Sequence, residues 1–173
     1  MKNLRRAFPI ITFFLFMFYL VACNSSGNNK FKVNPEDKIQ EALKNKKYLM
    51  VIVESADCRY CEKLNNEILA SQNVKERLIK NNITVAIVNA YGQRKITDPT
   101  TKKEMEEEAF ALAYRVQGFP TIIIFDPSKN YEMLTYINGY IPKNDFVNLL
   151  DFVGSGCYKK TDYETFIKNN KNC

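Results

Sequence analysis

Two cysteines, Cys58 and Cys61, stand three positions apart in the segment ESADCRYCEKL, with Arg59 and Tyr60 between them. This CxxC spacing suits a redox-active disulfide, one half of a metal site, or two unreactive core thiols. The chain contains no histidine, which excludes Cys–His nucleophile pairs, Cys–His zinc sites and a c-type haem motif. A zinc site would need the two cysteines near the C-terminus, whose spacing is wide. We prefer the redox interpretation, and the other two stay open.

A helix that begins at Cys58 would give the two cysteines different roles. Its unpaired backbone N–H groups and its dipole favour the thiolate form of the Cys58 sulfur, and the charge of Arg59 acts in the same direction. Cys61 returns to the same side of the helix about one turn later, so the two sulfurs can close a disulfide. We therefore predict that Cys58 is the more exposed and attacks, and that Cys61 is buried and resolves the mixed disulfide.

The segments around the motif predict an α/β fold. Near-continuous apolar runs at residues 48–55 and 83–90 are typical of strands buried on both faces, and the CxxC lies in a helical pattern between them. That order implies a parallel pair of strands with a crossover helix. Two more strands are expected at residues 121–126 and 131–139. An amphipathic helix then follows, with inward residues Phe146, Leu149, Leu150 and Val153.

The segment between the second and third strands is predicted from local signals alone. Residues 91–103 are interpreted as a polar loop. Thr101 followed by Glu104 matches a capping box, which predicts a helix over residues 102–116 with Glu106 to Glu108 on its solvent face. With helical patterns at both ends of the domain, the expected order is α β α β α β β α plus one C-terminal helix.

A second motif opens the third predicted strand with Gly118, Phe119, Pro120 and Thr121. Proline has no N–H to donate, so Pro120 fits the start of a strand. Together with a CxxC after a buried strand, this motif resembles the thioredoxin fold, in which a cis-proline loop packs against the CxxC. The resemblance implies a mixed four-stranded sheet flanked by helices, here with an extra C-terminal helix. It also implies a cis Phe119–Pro120 bond and a Phe119 backbone that pairs with bound substrate as an added strand.

Residues 33–170 resemble exported bacterial thioredoxin-like proteins, including SoxW-type periplasmic thioredoxins. The similar features are a long polar insertion before the third helix, a Gly-Tyr after the last strand and a C-terminal Tyr…Phe helix. The chain departs from thioredoxins at Ile52, which stands where they carry a buried acid six residues before the first cysteine. Glu54 is the nearest alternative acid, and we expect it to face solvent or to make a structural contact.

The N-terminus predicts export. Lys2, Arg5 and Arg6 precede an apolar stretch at residues 8–22, which is short for a bilayer-spanning helix and typical of a signal peptide. The letters LVAC at residues 20–23 look like a bacterial lipobox. Cys23 is therefore interpreted as the mature N-terminus and the site of lipidation. A plain signal peptide, or an uncleaved anchor with a chance cysteine, stays open.

The expected organisation is a lipoprotein signal peptide at residues 1–22, a flexible tether at residues 23–32 and one thioredoxin-like domain at residues 33–173. Without the signal peptide the chain keeps 22 basic against 19 acidic residues, an excess too weak to favour nucleic-acid binding. Thiols can oxidise outside the cytoplasm, so Cys157 and Cys173 are predicted to form a structural disulfide. Two free thiols, or a second redox pair that relays electrons to the CxxC, stay open.

These patterns predict a lipid-anchored thiol–disulfide oxidoreductase in the bacterial cell envelope, facing the periplasm. We expect it to act as a monomer and to reduce disulfides of exported proteins. Its electrons would come from an unidentified membrane or periplasmic donor. No cofactor and no metal are expected. A disulfide oxidase or isomerase, or a membrane-tethered binding module without turnover, stays open as the alternative.

Overall fold

The computed structural model describes residues 31–173. The predicted signal peptide, Cys23 and most of the predicted tether lie outside these described residues. In chain order, the helices and strands are α1 (Pro35–Asn45), β1 (Tyr48–Glu54), α2 (Arg59–Lys63), continued by a π-helical segment (Leu64–Leu69), α3 (Gln72–Lys80), β2 (Ile83–Asn89), β3 (Lys95–Thr97), β4 (Glu104–Glu106), α4 (Glu107–Ala113), β5 (Thr121–Asp126), β6 (Glu132–Asn138), α5 (Lys143–Gly154) and α6 (Tyr163–Lys168). Two short 3₁₀ helices, Pro127–Lys129 and Cys157–Lys159, lie before β6 and before α6. Within this part of the chain, no helix is both long and apolar enough to cross a bilayer.

A four-stranded sheet forms the centre of the domain, in the order β2-β1-β5-β6. β1 and β2 are parallel, with Glu54 opposite Asn89 at their carboxyl ends. β5 runs antiparallel to β1, with Thr121 opposite Val53, and β6 runs antiparallel to β5. The predicted α/β fold with a mixed sheet is therefore confirmed.

Helices cover both faces of this sheet. Side chains alternate along a strand, so Leu49, Val51 and Val53 of β1 enter a core cluster with residues of α1 and α4. Met50 and Ile52 point to the other face and join a cluster with α3, α5 and the helical segment after the CxxC. The two buried faces explain why β1 is a continuous apolar run rather than an alternating one.

The last two helices form one packed unit. α5 buries the four inward residues predicted for it, which are Phe146, Leu149, Leu150 and Val153. α6 turns back against α5, where the ring of Phe166 lies 5.1 Å from the ring of Phe152 between centroids. The predicted extra C-terminal helix is confirmed.

The segment before α4 differs from its prediction. The residues interpreted as a polar loop include β3, which pairs with β4 in a hairpin, and α4 begins at Glu107 rather than near residue 102. The capping box does not form, because Asp98 Oδ1 accepts the backbone N–H groups of Thr100 (2.8 Å) and Thr101 (2.7 Å). These bonds close a turn, and the chain then enters β4 instead of a helix.

The prediction that places Glu107 on the solvent face is also wrong, since this side chain is only 1% exposed. Glu107 Oε1 accepts the backbone N–H of Asn89 at 2.9 Å, and its carboxylate binds Arg94 Nε at 2.9 Å and an Arg94 terminal nitrogen at 2.7 Å. Gly92 leaves room for this contact, because a Cβ there would lie 2.1 Å from Glu107 Oε2. A buried carboxylate is stable here because the hairpin brings an arginine to it.

Candidate active site

The CxxC lies where β1 passes into α2. Cys58 is the N-cap of α2, and it is bonded to Cys61 in a disulfide with an S–S distance of 2.04 Å. The backbone N–H of Cys61 donates to Cys58 Sγ at 3.0 Å. Cys61 is fully buried, whereas Cys58 is partly exposed. A helix therefore begins beside the first cysteine, with the second cysteine one turn further and inside.

The two residues between the cysteines lie at the surface. Tyr60 is half-exposed, and the guanidinium of Arg59 lies 5.5 Å from the centroid of its ring. The ring of Tyr140, which follows β6, lies 6.1 Å from that of Tyr60, and the Lys63 ammonium lies 4.8 Å from the Tyr140 centroid. Tyr140 was missed as a site residue from the sequence; only the Gly-Tyr pattern after the last strand pointed to it.

The proline loop lies at the same end of the sheet as the CxxC. The Phe119–Pro120 peptide bond is cis, and Thr121 opens β5 directly opposite Val53 near the end of β1. Thr121 Oγ1 donates to the carbonyl of Gly118 at 2.7 Å and fixes the turn. The register of β5 against β1 thus brings Pro120 beside the segment that leads to Cys58.

A second aromatic residue extends the rim of the site. Tyr91, just after β2, is exposed and makes an edge contact with Phe119 at 6.0 Å between ring centroids. Phe119 itself is partly exposed. Sequence reasoning missed Tyr91, because nothing local in the polar segment after β2 links it to the proline loop.

Glu54 does not face solvent. It is the last residue of β1 and fully buried, and its carboxylate accepts from Asn65 Nδ2 at 3.0 and 3.1 Å. Asn65 lies one helical turn after Cys61, on the helix that carries the CxxC. Of the two expectations for Glu54, the structural contact is therefore confirmed, and Ile52 belongs to the core below it.

The C-terminal cysteines lie far from this site. Cys157 and Cys173 are joined in a disulfide. The neighbouring Tyr158 hydroxyl lies 3.1 Å from that of Tyr48, the first residue of β1, whereas the CxxC follows the last. The seven residues of β1 are joined by six steps of about 3.3 Å, which separate the two ends of the strand by roughly 20 Å. The two cysteine pairs therefore do not form a four-cysteine metal site, and they cannot exchange disulfides directly in this conformation.

The comparisons with known proteins agree with this geometry. The sequence profile of the thioredoxin-like domain matches residues 35–154, well over half of the chain. The chain belongs to the thioredoxin-like domain family. Its fold and its CxxC disulfide support thiol–disulfide oxidoreductase activity. A search of curated protein sequences found no match.

Two solved structures illustrate the likeness. A thioredoxin-fold protein from Helicobacter pylori is 24% identical, with a TM-score of 0.60, over 80% of this chain and 97% of that one. A thioredoxin from Thermus thermophilus is 25% identical, with a TM-score of 0.56, over 70% of this chain and 86% of that one. These likenesses support the thioredoxin-like superfamily and do not single out SoxW-type proteins.

Proposed function

We propose that this thioredoxin-like protein is exported, is anchored by a lipid on Cys23, and reduces disulfides of other exported proteins through Cys58 and Cys61. The observation that carries the proposal is the asymmetry of the CxxC. Cys58 is a partly exposed N-cap whose sulfur accepts a backbone N–H, and Cys61 is buried behind it. The signal-peptide pattern and the lipobox support export and anchoring.

The proposed reaction transfers two electrons to the substrate in two exchange steps. In the dithiol form, the Cys58 thiolate attacks one sulfur of a substrate disulfide, forms a mixed disulfide and releases the other substrate sulfur as a thiolate, which takes a proton from water. Cys61 then gives its proton to water and attacks Cys58 Sγ as a thiolate. This second attack releases the remaining substrate sulfur as a thiolate, which takes a proton from water, and leaves the Cys58–Cys61 disulfide. A membrane or periplasmic dithiol donor returns the pair to the reduced form.

The residues around the cysteines have matching roles in this proposal. The N–H of Cys61 stabilises the Cys58 thiolate, because a hydrogen bond to the charged form favours it. The Phe119 backbone, ahead of cis-Pro120 and Thr121, pairs with the substrate chain. Tyr60 and the cation of Arg59 lie on the exposed side, where a bound polypeptide would contact them.

Insulin reduction by dithiothreitol tests the activity. We expect the wild-type protein to accelerate it, Cys58→Ser to abolish the acceleration, and a Cys157→Ala/Cys173→Ala variant to retain it. Equal rates with wild type and Cys58→Ser would favour a binding module that does not turn over.

Trapping tests the order of attack. Cys61→Ala should accumulate mixed disulfides on Cys58 that appear on non-reducing gels, and Cys58→Ser/Cys61→Ala should accumulate none. Mixed disulfides carried instead by a Cys58→Ala variant would reverse the assigned roles.

Equilibration with glutathione buffers tests the direction of transfer. Thioredoxin-fold redox proteins span about −270 to −120 mV, and we expect this pair near the reducing end. A potential near the oxidising end would instead identify a disulfide oxidase or isomerase.

A further inference from the structure

The chain enters the domain at the CxxC end of the sheet. One terminal nitrogen of Arg94 donates to the carbonyls of Phe31 (2.9 Å) and Val33 (3.0 Å). The same guanidinium binds Glu107, which in turn accepts the backbone N–H of Asn89. Arg94 and Glu107 together thus connect Phe31 and Val33 to Asn89, the last residue of β2.

Asn89 marks the same end of the sheet as the redox pair. It lies opposite Glu54 in the register of β1 and β2, and the backbone N–H of Ala90 donates to the Glu54 carbonyl at 2.8 Å. Cys58 follows Glu54 by four residues. The first turn of α1 is also bonded to the segment after β2, because Glu36 accepts the backbone N–H of Thr97 in β3 at 2.6 Å.

The surface at this end has side chains suited to a bilayer interface. Val33, Tyr60 and Tyr91 are 57%, 50% and 67% exposed, and tyrosine is enriched where membrane meets water. Arg59 and Lys63 lie beside them, but Asp57 and Glu62 are exposed there too. Since these charges balance, electrostatic attraction to anionic lipid does not decide how the domain sits.

The orientation of the domain on the membrane depends instead on the length of the tether. Eight residue steps separate Cys23 from Phe31, and they reach at most about 28 Å when fully extended. This greatest reach is shorter than the domain itself, which at its size is roughly 35–40 Å across. A domain held by one end on so short a tether keeps that end nearer the membrane.

We propose that the CxxC end of the domain faces the membrane that holds Cys23, and that its substrates are disulfides of membrane-bound proteins close to the bilayer surface. This inference rests on the proposed function and on lipidation of Cys23. The opposite end, with the Cys157–Cys173 disulfide, then points away from the membrane.

Single-tryptophan variants measure the orientation, because the chain contains no tryptophan. Tyr91→Trp reports the CxxC end. The matched control is Ile79→Trp. Ile79 is 81% exposed and lies just before the start of β2, at the end of the domain opposite the CxxC. Both are made in the full-length lipoprotein, reconstituted in phosphatidylcholine vesicles that carry a dansyl-labelled lipid headgroup.

Energy transfer to dansyl should be greater from Tyr91→Trp by about twofold or more, because the two positions lie at opposite ends of a domain roughly 35–40 Å across. Equal transfer, or greater transfer from Ile79→Trp, would overturn the orientation. Mass spectrometry of the reconstituted protein must also find the lipid on Cys23, and its absence would overturn the inference.

A lipid-linked disulfide peptide tests the substrate class. The peptide is joined to lipid in the same vesicles by a spacer of a few residues, or by a Gly/Ser spacer with a reach of roughly 35 Å, and dithiothreitol supplies the electrons. A site that faces the bilayer should reduce the short-spacer peptide at least as fast as the long one. Reduction of the long-spacer peptide alone would contradict the inference.

Soluble insulin in the same vesicles separates the two proposals. If neither insulin nor the short-spacer peptide is reduced in a Cys58-dependent manner, the proposed function fails. If insulin is reduced but the short-spacer peptide is not, the enzyme stands and only the membrane-facing inference is wrong.

Discussion

At the residue scale, the two CxxC cysteines differ in solvent exposure. Cys58 is partly exposed at the start of α2, and Cys61 is fully buried on the inner side of the same helix. In the reduced protein, iodoacetamide at neutral pH should therefore alkylate Cys58 well before Cys61. Peptide mapping by mass spectrometry over a time course measures both rates. Comparable rates at the two positions would contradict the proposed roles, and urea-unfolded protein provides the control in which the difference disappears.

Tyr114 should make the fold sensitive to alkali. Its hydroxyl donates to Asp98 Oδ2 at 3.1 Å. Burial, helped by the Asp98 charge, raises the pKa of Tyr114 to about 12. An unfolded tyrosine ionises near 10, so the unfolded state loses this proton first as pH rises. The stability that Tyr114 contributes is fully present below about pH 10, and it is lost as pH rises through 12.

The Tyr114→Phe variant isolates this effect. Its free energy of unfolding should fall less steeply than that of wild type between about pH 10 and 12. At pH 7 it should be lower by about 1 kcal/mol, because Asp98 loses a donor. Urea unfolding followed by circular dichroism at several pH values measures both quantities. Parallel pH profiles for the two proteins would rule out this role for Tyr114.

At the element scale, the Arg94–Glu107 pair joins the β3–β4 hairpin region to the end of β2. Removing the arginine leaves a buried carboxylate without its charge partner, which costs about 3 kcal/mol or more of folding free energy. We expect Arg94→Ala to show a loss of this size in urea unfolding. The control is Lys168→Ala, whose partner Glu164 is exposed, and it should change stability little. Equal effects of the two variants would show that burial of Glu107 does not matter.

The Cys157–Cys173 disulfide should stabilise the packing of α6 against the domain. A six-residue helix is too short to be stable alone, and α6 is held by its contact with Phe152 and by the Cys157–Cys173 bond. Closing a loop of about this length stabilises the fold by about 3 kcal/mol in the chain-entropy model. Replacing both cysteines with alanine should lower the free energy of unfolding by a comparable amount. An unchanged unfolding curve would mean that packing alone holds the helix.

The elements that were predictable from the sequence carry their signal locally. β1 is a run of apolar residues because both of its faces are buried, and α5 shows its inward positions at helical spacing. The β3–β4 hairpin has strands of only three residues without an apolar pattern, and its capping-box signal was overridden by the Asp98 turn. The buried carboxylate of Glu107 pairs with Arg94, which is thirteen residues away in the chain, and no local pattern shows this pairing.

At the scale of the whole molecule, the parts of the site that lie close together in the chain were predictable from the sequence, and the parts that long-range packing brings together were not. Cys58 and Cys61 lie within one helical turn, so spacing alone placed them together. Pro120 was placed by its resemblance to a known loop. Tyr91 and Tyr140 reach the site only after the sheet has formed, because each follows a different strand, and strand neighbours are set by long-range packing.

The two disulfides should behave independently, because they lie at opposite ends of β1. Direct exchange needs sulfurs in contact, and roughly 20 Å of sheet separates the ends. In the Cys157→Ala/Cys173→Ala variant, the glutathione midpoint of Cys58–Cys61 should move by less than about 10 mV, equivalent to about 0.5 kcal/mol. Insulin reduction should keep its wild-type rate at a temperature where circular dichroism shows the variant folded. A larger shift, or a slower rate in the folded variant, would mean that the C-terminal pair relays electrons to the CxxC through a conformation in which the two ends of the domain meet.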